Sequence, residues 1–152
     1  MAVRPAPDPI DEAELLSITA VRFVRVQGKV LGDLAEPLTY PQFITLARIG
    51  EGHRSIVALA GLGRLTLPTV SQSVDGLVKR DLVSRSQDEN DRRLTVLSLT
   101  PAGTRAVRAA KDALGTLVGG LMDRLDKDGR RGLTTALSVL HDWTDEEFER
   151  QY

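Results

Sequence analysis

Apolar residues recur near helical spacing through the first third of the chain, at Leu15, Ile18, Val21, Val24, Val26 and Leu31, and predict a helix over residues 11–34. Its apolar face is wide, which suits a helix that packs both within its own chain and against another. Gly32 and Pro37 end it. Thr39 as N-cap and Pro41 in the first turn then open a second helix with Phe43, Leu46, Ala47 and Ile49 turned inward, and Gly50-Glu51-Gly52 breaks it. Ser55 caps a short third helix over 56–60, with Gly61-Leu62-Gly63 as the following turn. Thr66 caps a fourth, in which Pro68 sits where a missing N–H costs nothing and Val70, Val74 and Leu77 form one buried stripe. The third and fourth helices make a helix-turn-helix. Asp81, a residue that tolerates the left-handed conformation, stops the fourth helix after Lys79-Arg80. Strands over 82–87 and 94–99 flank a polar hairpin tip, Asp88-Glu89-Asn90-Asp91-Arg92. Thr100-Pro101 opens a long helix through Val107, Leu114, Val118 and Leu121, and Asp126 or Asp128 restarts a last one lined by Leu133, Leu137, Leu140 and Trp143. The fold expected is mainly α with one small β-hairpin wing: a winged helix-turn-helix lobe over about 38–100, with helices over about 11–34 and 101–150 as a dimerisation platform.

Composition narrows what such a fold could do. With 152 residues and 41% apolar content, the chain suffices for a single domain over 11–152, preceded by a proline-rich tail expected to be disordered over 1–10. No apolar run approaches the roughly 20 residues that cross a bilayer, and the N-terminus lacks the basic-then-apolar order of a signal peptide, so no membrane partner and a cytoplasmic location are expected. The absence of cysteine removes disulfides, thiolate metal sites and thiol nucleophiles together. His53 and His141 stand far apart, so no metal, no cofactor and no enzymatic centre are expected. Net charge is −1, but residues 54–108 hold nine Lys/Arg against five Asp/Glu, a balance of +4 that leaves −5 for the rest. Positive charge is concentrated on the helix-turn-helix and hairpin.

That concentration gives the outer face of the fourth helix a candidate chemistry. At 100° per residue, Pro68, Gln72, Asp75 and Lys79 lie opposite the Val70/Val74/Leu77 stripe, with Thr69 and Gly76 beside them. A helix whose polar face begins near its N-terminus fits a DNA major groove about 12 Å wide. Gln72 can pair bidentately with adenine, Thr69 can touch a thymine methyl or a phosphate, and Lys79 suits a phosphate. Thr66 and Ser71 complete the expected set. In the hairpin, Arg92 and Arg93 suit the negative potential of a minor groove, and Asp91 can orient one guanidinium.

The residues that carry these features also carry a family resemblance. Leu59-Ala60, Leu65-Thr66, Pro68-Thr69-Val70-Ser71, Val74-Asp75-Gly76-Leu77, Lys79-Arg80, and Leu82-Val83 with Arg85 resemble the helix-turn-helix of the multiple-antibiotic-resistance regulator (MarR) family. Asp91, Arg93, Leu97, Leu99, Thr100 and Gly103 match its wing signature, Asp-x-Arg followed by Leu-x-Leu-Thr-x-x-Gly. The resemblance implies a homodimeric transcription regulator, most often a repressor, on a pseudopalindromic operator in double-stranded DNA. It puts Pro68, Thr69 and Gln72 in the major groove and Arg93, partnered by Asp91, in the minor groove, with Arg92 as competitor. Gly76 and Gln72 depart from the basic residues frequent at those positions, and Ser73 stands where an apolar side chain usually packs. Many relatives release DNA on binding a small aromatic or phenolic effector; Phe23, Tyr40, Phe43 and Arg48 are the candidate lining here. The alternative is a winged-helix protein-interaction module without DNA binding, favoured by Gly76 and the low net charge and opposed by Lys79, Arg85, Arg92 and Arg93.

Overall fold

The computed structural model describes residues 11–63, 65–88 and 93–151; the expected tail over 1–10 lies outside them. The elements run α1 (Asp11–Gly32), α2 (Tyr40–Gly50), α3 (Ile56–Gly63), α4 (Leu67–Lys79), β1 (Val83–Gln87), β2 (Thr95–Leu99), α5 (Pro101–Met122) and α6 (Lys127–Gln151). They fall into two compact units, Met1–Leu114 and Gly115–Tyr152.

Local chemistry sets most of the boundaries. Thr39 and Gln42 form a reciprocal capping box, the Gln42 N–H donating to Thr39 Oγ1 at 3.3 Å and the Thr39 N–H donating to Gln42 Oε1 at 3.0 Å. Thr66 accepts from the Thr69 N–H at the start of α4. At its end Asp81 takes φ 55°, and the N–H groups of Leu82 and Asp81 donate to the carbonyls of Leu77 and Val78, both at 3.0 Å. That is a Schellman termination with aspartate in the position usually held by glycine. It consumes Leu82, so β1 starts one residue later than the pattern predicts. Gly52, at φ 102°, does the same work after α2.

One boundary is a correction. The glycines at 61 and 63 predict a turn, but α3 runs through both to Gly63, and the Leu65 N–H closes it on the Ala60 carbonyl at 3.0 Å. Glycine costs only about 1 kcal/mol in a helix interior, which burial of Leu59 and Ala60 outweighs. The last helix restarts at Asp126, whose Oδ1 accepts from the Gly129 N–H at 2.7 Å; Asp128 lies in its first turn.

The core of the first unit gathers Leu31, Leu38, Leu46, Val74, Leu77, Leu82 and Leu97 among others, all between residues 31 and 110. The hairpin is antiparallel, with Val83 opposite Leu99 and Arg85 opposite Leu97, and gains a rung where the Leu97 N–H donates to the Arg54 carbonyl at 2.8 Å. Thr100 joins it to α5: its hydroxyl donates to the Asp81 carbonyl at 2.6 Å and accepts from the Gly103 N–H at 3.0 Å. In α1 the only buried residue is Leu31, whereas Leu15, Leu16, Ile18, Val21, Phe23, Val24 and Val26 are exposed. Among the described residues of α6 none is buried, and Leu137, Val139, Trp143 and Phe148 stand at least half exposed.

Candidate nucleic-acid interface

The stripe on α4 faces inward as the spacing predicts, with Val70 nearly buried and Val74 and Leu77 completely so. That orientation leaves Pro68, Thr69, Gln72 and Lys79 exposed, with Ser71 and Asp75 half-buried. Thr66 is spent partly on capping, and its hydroxyl shares a 2.8 Å hydrogen bond with that of Thr69. A hydroxyl both donates and accepts, so each retains capacity for a further partner. Among the described residues nothing hydrogen-bonds the Gln72 amide and no carboxylate pairs with Lys79. A Cβ built on Gly76 meets nothing within 4 Å, so the surface beside Gln72 is open. The helix thus offers an unengaged amide, hydroxyls near the N-terminus and a lysine near the C-terminus.

Two arginines for which sequence reasoning named no partner hold this helix in place. Arg80 donates to Glu36, to the Pro37 carbonyl and, through Nη1, to Gln42 Oε1 at 3.3 Å, tying the end of α4 to the segment between α1 and α2 and to the first turn of α2. Arg85 of β1 pairs with Asp75 of α4 at 2.7 Å, so Asp75 is engaged with the hairpin. Arg93 is exposed in the turn two residues before β2. The expected partner Asp91 and the competing Arg92 lie outside the described residues.

The four residues expected to line an effector site part company. Tyr40 and Arg48 do line a common cavity of about 420 Å³, together with Ile44, Leu59, Leu65 and Ser73, between α2 and the helix-turn-helix. Tyr40, Ile44 and Arg48 are spaced i, i+4, i+8 and share a face. Phe43 belongs to the next face: it is buried in the core, its ring tilted against Tyr40 at 6.1 Å. Phe23 is exposed on α1 and does not line this cavity. Ser73, a departure from an apolar position, lines the cavity, and Gly63 lets Arg48 approach, since a Cβ there would come within 3.2 Å of Arg48 Nη1. Among the described residues no cluster of three His, Asp or Glu could hold a metal, and no helix is long and apolar enough to cross a membrane.

Comparison with known proteins shows what this arrangement is similar to. The model of the MarR family matches residues 38–95, from the start of α2 into the hairpin. The chain is 35% identical over 99 residues to YsmB of Bacillus subtilis, an uncharacterized HTH-type transcriptional regulator, covering 64% of this chain and 65% of YsmB. Over residues 38–95, the stretch that holds the helix-turn-helix, the chain matches the MarR family. Similarity of fold extends beyond the matched stretch. The crystal structure of Streptococcus pneumoniae FabT in complex with DNA superposes with a TM-score of 0.83 at 20% identity, covering 91% of this chain and 99% of that one. The regulator BldR of Sulfolobus solfataricus aligns at 29% identity and a TM-score of 0.61, covering 88% and 99%. The MarR match thus spans α2, α3, α4 and β1, while α1, α5 and α6 agree in fold.

Proposed function

We propose that this chain, similar to the MarR family over residues 38–95, is a sequence-specific transcription regulator that binds double-stranded DNA as a homodimer, with α4 in the major groove and the hairpin in the adjacent minor groove. The observation that carries the reading is Gln72: an exposed amide without a partner among the described residues, on the helix face opposite a buried stripe. An amide so placed can meet both N6 and N7 of adenine. FabT, which shares the fold, was crystallised in complex with DNA. The exposed apolar faces of α1 and of α6 each support association of two chains, since neither face is covered within its own unit. Two identical lobes would read an operator with two-fold symmetry, and occupying it would repress transcription.

Gln72→Ala is expected to cost about 1–3 kcal/mol on the preferred site and to relax base preference at one position in each half-site. Competition binding on duplexes varied at single positions checks it. Equal weakening on every sequence would make Gln72 a phosphate contact instead.

A further inference from the structure

The ion pair between Asp75 and Arg85 joins two elements that the proposed function sends to different grooves. Arg85 lies opposite Leu97 in the hairpin register, and residues paired across strands share a face. Leu97 is completely buried, so Arg85 leaves the strand on its inward side and reaches Asp75 Oδ1 at 2.7 Å on α4. Asp75 stands three residues after Gln72, one turn further along the helix.

We infer that Asp75 and Arg85 are positioning residues for DNA recognition, fixing the hairpin against α4 and so the distance between Gln72 and Arg93. The inference rests on the DNA-binding function proposed above. Both side chains are substantially exposed, at 48% for Asp75 and 34% for Arg85, and an ion pair so accessible to water adds little to folding stability. Its main consequence is geometric. The hairpin root is held where Thr100 bonds to Asp81, and on the Arg85 rung itself Leu97 bonds outward to Arg54, away from its strand partner. Ser86 and Gln87, beyond Arg85 toward the tip, are exposed, so the Arg85 link acts as a second point that sets the tilt of the strands. Gly76, beside Asp75, has no side chain to do this by packing. A carboxylate on a DNA-facing helix also repels phosphate unless it is neutralised, and Arg85 neutralises it.

The test compares the parent chain with Asp75→Asn, Arg85→Gln and the double variant, each measured on the preferred operator and on a random duplex. Asp75→Asn removes a negative charge, yet its ratio of operator to random affinity is expected to fall about tenfold, with random-duplex binding unchanged or tighter. Arg85→Gln should lower the ratio by a similar factor, and the double variant no further than either single change. Thermal midpoints close to the parent value are expected throughout. An unchanged ratio in both single variants, or losses that multiply in the double, would overturn the positioning role. A parent chain with no preference between the two duplexes would instead overturn the DNA-binding function itself.

Discussion

Gly103→Ala is expected to destabilise the fold by about 3 kcal/mol, the upper end of ordinary overpacking. A Cβ at this position would lie 2.0 Å from the carbonyl oxygen of Leu82 and 2.9 Å from its carbonyl carbon. Both are backbone atoms, so no side-chain rotation relieves the clash. The Thr100 N–H donates to that same carbonyl at 3.2 Å, and Thr100 Oγ1 bonds Asp81 and Gly103. Lifting α5 away from Leu82 would therefore break the junction between hairpin and helix. Gly61→Ala supplies the contrast, because a Cβ there meets nothing within 4 Å and the residue is helical; it should gain about 0.5–1 kcal/mol. Urea denaturation of both variants checks the pair of signs. A loss under about 1 kcal/mol for Gly103→Ala would mean that α5 moves without cost.

The second large effect concerns the wing. Arg93→Ala is expected to weaken operator binding about tenfold or more and to reduce the salt dependence by about one counterion per wing, hence about two per dimer. Asp91→Ala should also weaken binding, although it removes a charge that phosphate would repel, if the carboxylate of the Asp-x-Arg sequence orients the guanidinium as the resemblance implies. Binding titrations across a range of salt concentrations measure both effects. Tighter binding by Asp91→Ala would contradict the orienting role, and loss of binding in Arg92→Ala alone would shift the contact by one residue.

What was legible in the sequence was what neighbouring residues decide. Thr39, Thr66 and Thr100, each with a proline one or two positions on, announced helix starts because capping is settled within one turn. Asp81 marked the end of α4 for the same reason. The inward stripe of α4, and with it the exposed position of Gln72, followed from periodicity. Reading Gly61 and Gly63 as a turn failed because burial of the neighbouring Leu59 and Ala60, a tertiary effect, outweighs a weak local preference. That Tyr40 lines the cavity while the neighbouring Phe43 ring is buried in the core was not legible, because an adjacent pair of aromatics does not say which of the two faces the core. The Arg80 clamp joins residues 38 and 44 positions apart, and the Arg85–Asp75 pair joins a strand to a helix across the α4 termination. No spacing rule reaches such partners. The unpartnered faces of α1 and α6 were legible as apolar excess, since exposure of that kind is written in composition and period alone.

The most direct test of the central claim is selection of bound duplexes from a random DNA pool by the purified chain, followed by sequencing. The account predicts enrichment of an inverted repeat whose half-sites are centred about one helical turn, about 10 base pairs, apart, with Gln72→Ala blurring one position in each half. A folded protein that leaves the pool unenriched would contradict sequence-specific DNA binding and turn the exposed face of α4 over to a protein partner.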